Sequence, residues 1–212
     1  MQEESGIIVG YLLDGNGGGR LIDLEGMRDW TPEQGLLWVD LDIAQSQSLE
    51  WLKNESGLDT ITTSNLSARE TRPRTIISQQ GILQILRGVN HTPGSEPEDM
   101  VAIRLWIDKH RIITAHRRFI LSVKDIFTVL ENGLGPKTTA EFLIALNDSL
   151  TLHISEVIDS VDDDVDQLET DMLTVPAHHL RPKVADIRRQ AISIRRYLAP
   201  QREALYRLYM EE

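Results

Sequence analysis

His153 and Glu156 stand three residues apart in a stretch free of proline and glycine. On a helix that spacing puts an imidazole and a carboxylate on one face. Both groups ligate zinc, which accepts nitrogen and oxygen donors, so a cysteine-free site is chemically sound. Beyond them Asp159, Asp162, Asp163, Asp166 and Glu169 recur at spacings of three and four and form a carboxylate stripe. Hard divalent cations take such oxygen ligands, directly or through their hydration water. The candidate metal-ligating set is therefore His153, Glu156, Asp159, Asp162, Asp163, Asp166 and Glu169. Two plainer readings stand beside it: the stripe can be a solvated helix face, or it can pair with a basic helix. A lone histidine at the edge of an apolar stripe is more often structural, and His178-His179 further on is a second source of imidazole.

Other patterns carry less. Arg69-Glu-Thr-Arg-Pro-Arg74 is a basic cluster that can take an anion through guanidinium forks or open a salt-bridged surface strand. The Gly15–Gly19 run lacks the Gly-Lys-Ser/Thr ending of a phosphate loop and precedes Arg20-Leu-Ile-Asp23, so a hairpin turn is the better reading. The sequence has no cysteine, which removes disulfides, thiolate zinc sites and cysteine nucleophiles together. There is no HExxH pattern, nucleophile elbow or dinucleotide fingerprint. No catalytic residue and no cofactor are assigned, and the chain is not expected to be an enzyme.

The elements that must position these residues change in character along the chain. Residues 6–13 and 36–43 are apolar strands, the second continuous enough for a central place in a sheet. Strands are also expected across 72–89 with a break at Gln79-Gln80-Gly81, and at 101–108 and 111–116. Helices are expected at 46–52, 58–66 and 121–131, the last stopped by Asn132-Gly133. Intermingled strands and helices imply an α/β layered domain.

From Thr138 the texture is helical. Leu143, Leu146, Leu150, Ile154, Val157, Val161, Val165, Leu168 and Met172 follow an eleven-residue repeat on one face, opposite the acidic stripe. Leu173–Arg181 is the expected break, with Pro182 opening the next helix. That helix carries Val184, Ile187, Ala191, Ile194, Leu198, Leu205 and Leu208 on a seven-residue repeat, Gln201 at one seam position, and Arg188, Arg195 and Arg202 beside the seam. Pro200 should interrupt its hydrogen bonding. Two arms of ~45–50 Å follow from ~1.5 Å per residue. The predicted fold class is thus α/β, a layered α/β/α domain (1–137) with a mixed sheet, followed by a long αα-hairpin (138–212).

Charge follows the same division. Net charge is −11. Thr138–Leu180 holds ten acidic residues and no Lys or Arg, whereas Arg181–Glu212 holds eight basic and four acidic ones. An acidic balance argues against a nucleic-acid backbone as the main partner and is compatible with cations. No signal peptide and no apolar run near the ~20 residues of a membrane helix are present, so the chain as given is expected to be soluble.

The segments Ala68–Arg74, Gly81–Asn90 and Pro97–Asp108, with Leu37-Trp-Val-Asp-Leu-Asp42 before them and Arg188–Tyr209 after, resemble the CorA superfamily of divalent-cation transporters, and within it the zinc-transporting branch. The resemblance spans nearly the whole chain. It implies a cytoplasmic α/β/α domain at the inner membrane, homopentamers in the full-length protein, no enzymatic activity, and zinc as cargo, with magnesium or cobalt as the alternative. It also implies a stalk, two membrane helices and a Gly-Xaa-Asn motif after this chain, which is expected to be the first part of a longer protein. A free-standing helical-hairpin scaffold for partner binding is the reading from a different class.

Overall fold

The computed structural model describes residues 8–96 and 98–210. Seven strands form one mixed sheet: β1 (Ile8–Leu13), β2 (Gly19–Ile22), β3 (Leu36–Asp42), β4 (Arg74–Ser78), β5 (Gly81–Gly88), β6 (Val101–Ile107) and β7 (Arg111–His116). Their order is β2-β1-β3-β7-β6-β5-β4. Every pairing is antiparallel except β3 with β7. Two antiparallel ribbons therefore meet at one parallel joint. The interior place expected for 36–43 is what β3 occupies.

Period-two alternation sends the two faces of these strands into two cores. Leu37, Val39, Leu41, Leu83, Trp106, Ile113 and Ala115 face one way. They are covered by the short helices α1 (Leu24–Arg28), α2 (Ser46–Asn54) and α3 (Thr60–Ser67) through Met27, Trp51, Leu52 and Leu66. Trp38, Leu86, Ile103, Leu105, Ile107 and Ile112 face the other way, under α4 (Leu121–Glu131), the start of α5 (Thr139–Asp171) and the end of α6 (Ala177–Tyr209). This is the expected α/β/α layering. Trp38 is fully buried, stacked on Phe127 with centroids 4.1 Å apart and edge-on to Phe142 at 4.9 Å. The helix α1 and a short 3-10 turn at Pro32–Gln34 have no counterpart among the expected elements. Each is too short to show a period.

A row of polar side chains seats the long helices. Asn147 of α5 donates to Gln84 of β5 (3.2 Å), Gln84 to Thr75 of β4 (3.5 Å), and Thr75 to the carbonyl of Ala204 in α6 (2.7 Å). Gln84 and Thr75 are buried, so each bond here stands in for lost water. Gly88 lets α5 come close, since a Cβ there would lie 2.8 Å from Leu150 Cδ2. The glycine run expected as a hairpin turn joins β1 to β2, with Asp14 Oδ1 accepting from the N–H of Asn16 (2.7 Å) and Gly18 (3.1 Å).

The hairpin consists of two 33-residue helices, each about 50 Å long at ~1.5 Å per residue. Thr138 caps α5 through its side chain (3.1 Å to Glu141 N). The break differs from the expected one. α6 begins at Ala177 with Pro176 at its N-cap, so Pro182 lies inside the helix along with Pro200. A proline at the boundary has no N–H to leave unsatisfied, and the preceding residue is pushed out of the helical region, so Pro176 sets the start. Parts 1–137 and 138–212 share one core, because Phe142, Leu143, Leu146, Leu150 and Ala204 belong to the same cluster as the sheet.

Gln201, on the seam, is buried and serves the sheet. Its Oε1 accepts from Arg87 N–H (2.7 Å) and its Nε2 donates to Arg87 C=O (3.2 Å). Gln201→Leu keeps the volume and orphans both main-chain groups. It should lower stability by about 1–3 kcal/mol, read as a lower urea midpoint. An unchanged midpoint would show that the bidentate contact contributes nothing.

Candidate functional site: the acidic helix and its histidine

α5 works in two halves. Leu143, Leu146, Leu150 and Ile154 are buried against the sheet or α6, whereas Val157, Val161, Val165 and Leu168 are only half-buried and Met172 is exposed. Val157 and Ile158 still pack near Val89 and Met100, together with Tyr197 and Leu198 of α6. Asp159, Asp162, Asp163, Asp166 and Glu169 are all exposed. Among the described residues none of them forms an ion pair. Like charges at i,i+3 and i,i+4 cost a few tenths of a kcal/mol each, about 1 kcal/mol for the stripe, which the buried half of the helix easily offsets. The stripe is thus a tolerated concentration of negative charge. Pairing with the basic helix is limited to one contact between α5 and α6 among the described residues, Lys183 to Asp171 at 3.5 Å. Arg188, Arg195 and Arg202 do not reach the stripe; Arg202 turns to its neighbour Glu203 (3.0 Å).

His153 and Glu156 are brought together as their spacing implies, with Nδ1 to Oε2 at 3.2 Å. The sequence did not point to the third member. Asp125 of α4 lies 2.8 Å from His153 Nε2 and also accepts from the Ser149 hydroxyl at 2.7 Å. One carboxylate therefore faces each ring nitrogen. Burial pulls the His153 pKa down, but the hydrogen bonds and charges of Asp125 and Glu156 outweigh it and hold it above the ordinary histidine value. His91 stands edge-on to the same ring at 5.4 Å. Its own pKa is pushed down, first by burial and then by the His153 charge. The arrangement clamps the ring between two carboxylates and favours its protonated form. An ion on either nitrogen must first displace a carboxylate, and the two carboxylates face different ring nitrogens. Among the described residues no group of three or more His, Cys, Asp or Glu side chains is arranged to hold a metal ion. His178 and His179 pack on each other in the first turn of α6, exposed and away from His153.

A second half-buried histidine escaped sequence reasoning. His116 Nε2 meets Asp40 at 3.1 Å, Asp40 accepts from the Thr114 hydroxyl, and Thr114 accepts from Trp38 Nε1 at 2.9 Å. Burial lowers the His116 pKa, yet Asp40 outweighs it and the net shift is upward. The only signal for this network is that polar residues alternate in two otherwise apolar strands.

The CorA-like Mg2+ transporter family model matches residues 33–212. The divalent cation transporter CmaX of Pseudomonas aeruginosa is 36% identical over 208 residues, covering 95% of this chain and 61% of that protein. The zinc transport protein ZntB of Yersinia enterocolitica is 33% identical over 209 residues, covering 98% of this chain and 62% of that protein. The chain thus spans a little over three fifths of the length of these curated relatives. The structure of full-length CmaX superimposes with a TM-score of 0.83 at 33% identity, over 98% of this chain and 66% of the other. The ZntB cytoplasmic domain from Vibrio parahaemolyticus gives 0.81 over 96% of this chain and 79% of the other; at 20% identity it speaks for the fold alone.

By nuclear magnetic resonance, the His153 ring should titrate above the ordinary histidine pKa of about 6.5 and His91 below it. Asp125→Asn should bring His153 down. Because the folded-state pKa of His153 is raised, its contribution to stability is full below the unfolded value and is lost as pH rises through the folded one. A His153 titration at or below the ordinary value would overturn the clamp.

Proposed function

This chain belongs to the CorA-like transporter family, and from that premise we propose that it forms the cytoplasmic part of a divalent-metal transporter at the inner membrane, with zinc as the cargo. The observation that carries this reading is the row of five exposed carboxylates on the outer half of α5, without an ion pair among the described residues. A surface lined by one sign of charge raises the local concentration of counter-ions, and hydrated cations suit such a surface without a closed coordination sphere. In this reading the chain performs no chemical step and needs no cofactor. Asp159, Asp162, Asp163, Asp166 and Glu169 attract cations, and His153 with Glu156 is a proton-gated place where zinc competes with H+ and Asp125. Copies arranged as a homopentamer turn the stripes toward a shared vestibule. The exposed apolar side chains of the hairpin, Leu152, Met172, Leu173 and Ile192, support contact with another copy or with further chain. Among the described residues no helix is long and apolar enough to cross a membrane.

Zinc is favoured over magnesium by the relatives named as zinc transport proteins; the family description names Mg2+ and keeps the alternative specific. The gene downstream of codon 212 should encode two apolar segments of ~20 residues; their absence would leave the scaffold reading. In proteoliposomes the full-length protein should carry zinc faster than magnesium at equal concentration. The reverse order would reassign the cargo. Replacing the five stripe acids by Asn and Gln should slow initial zinc flux several-fold at low ionic strength and much less at high salt, because exposed charges are screened within ~10 Å at 0.1 M. Equal flux at low salt would remove the stripe from the mechanism.

A further inference from the structure

Five arginines converge on one cleft. Arg69, Arg87, Arg104, Arg117 and Arg118 line a space of about 370 Å³ together with Tyr197 of α6 and one acid, Asp99. They come from four places in the sequence: the segment after α3, β5, β6 and the segment after β7. Among the described residues none of the five forms an ion pair.

Neutral carbonyls hold three of them instead. Arg87 donates to the carbonyls of Met100 (3.1 Å) and Thr71 (2.7 Å). Arg104 donates to those of Ala102 (3.3 Å) and Ala68 (2.6 Å), and Arg117 to that of Ser67 (3.1 Å). Tyr197 stacks its ring on Arg87, 4.5 Å from the guanidinium carbon. The Nε atoms of Arg87, Arg104 and Arg117 are buried without a hydrogen-bond partner. Arg104 is 1% exposed. Burial, then the charges of Arg117 and Arg87, lower its pKa to about 10, which still leaves it a cation at neutral pH.

Buried charge without a counter-charge is costly, and carbonyl dipoles fix geometry without removing the charge. Asp99 is one carboxylate against five guanidinium groups, so the cleft stays cationic whatever its rotamer. A planar guanidinium offers paired donors that match two oxygens of a tetrahedral oxyanion. The volume exceeds that of a bare phosphate and falls in the range of small-molecule sites, ~300–1,000 Å³.

We propose that this cleft is a phosphate-binding site, with Arg87 and Arg104 at its floor and the exposed Arg69 and Arg118 at its mouth, taking inorganic phosphate or the phosphate of a small phosphomonoester. The site is independent of the metal reading above. It gives the domain a second ligand of opposite charge to the cation.

The 212-residue chain is titrated calorimetrically with inorganic phosphate, ribose 5-phosphate, ribose and chloride at constant ionic strength. One phosphate per chain is expected, with no heat from ribose and none specific to chloride. Tighter binding of ribose 5-phosphate than of phosphate assigns the phosphomonoester, and equal binding assigns inorganic phosphate. The double variant Arg69→Ala, Arg118→Ala changes exposed positions only, so it should melt at the wild-type temperature and bind phosphate at least tenfold more weakly. Absence of phosphate binding, equal binding by the double variant, or chloride binding as well as phosphate would each overturn the proposal.

Discussion

The parallel pairing of β3 with β7 is the joint on which the molecule depends. It alone connects the ribbon β2-β1-β3 to the ribbon β7-β6-β5-β4. Parallel ladders are slightly weaker per residue than antiparallel ones, so this joint needs side chains to specify it. On one face the chain of hydrogen bonds from Trp38 through Thr114 and Asp40 to His116 crosses between the two strands. A slip by one residue would send Asp40 into the core beneath α2 and α3, where Val39 and Leu41 now sit. Trp38 in turn is the aromatic floor for α4 and α5 through Phe127 and Phe142. The register of two strands therefore fixes the place from which the 50 Å hairpin departs.

That departure explains how one helix serves two ends. The first half of α5 is tied to the sheet by Leu146, Leu150 and Asn147, and it contributes cohesion. The second half contributes little cohesion and is free to be acidic. Stability resides where the charge is not. The same economy holds in α6, whose C-terminal half packs on β4 and β5 through Ala204 and Gln201 while Arg188 and Arg195 face water. Substitutions in the outer stripe should accordingly move electrostatics more than folding, which makes the charge there separable from the fold.

Much of the fold was legible because it is periodic. The continuous apolar run at 36–43, the glycine-rich turn after Asp14, and the stop at Asn132-Gly133 are local signals, and each element lies where its signal does. The long apolar rows of α5 and α6 were legible for the same reason. What local pattern cannot show is a partner from elsewhere. Asp125, which completes the His153 clamp, is an ordinary exposed-face acid until α4 docks on α5. The cluster at Arg69–Arg74 drew notice for its density, yet the structure disperses it: Arg69 goes to the cationic cleft, Arg72 to water and Arg74 to Asn65. The denser assembly is made from arginines scattered between 69 and 118. Pro176 outcompeted Pro182 as the start of α6 because the break needed only one proline, and spacing alone did not say which.

The side chain of Gln201 has a further meaning at the edge of the sheet. β5 runs past the end of β4, since the β4 pairing stops at Ile85 while β5 continues to Gly88. Arg87 there presents a main-chain donor and acceptor on a flank with no neighbouring strand. An open flank of this kind is a template on which a foreign strand can add. The amide of Gln201 is a peptide group in miniature, and by occupying both atoms it stands where the first residue of an intruding strand would pair. The helix hairpin thereby guards the sheet against misassembly between chains, a duty set by the main chain rather than by the charge on its other half.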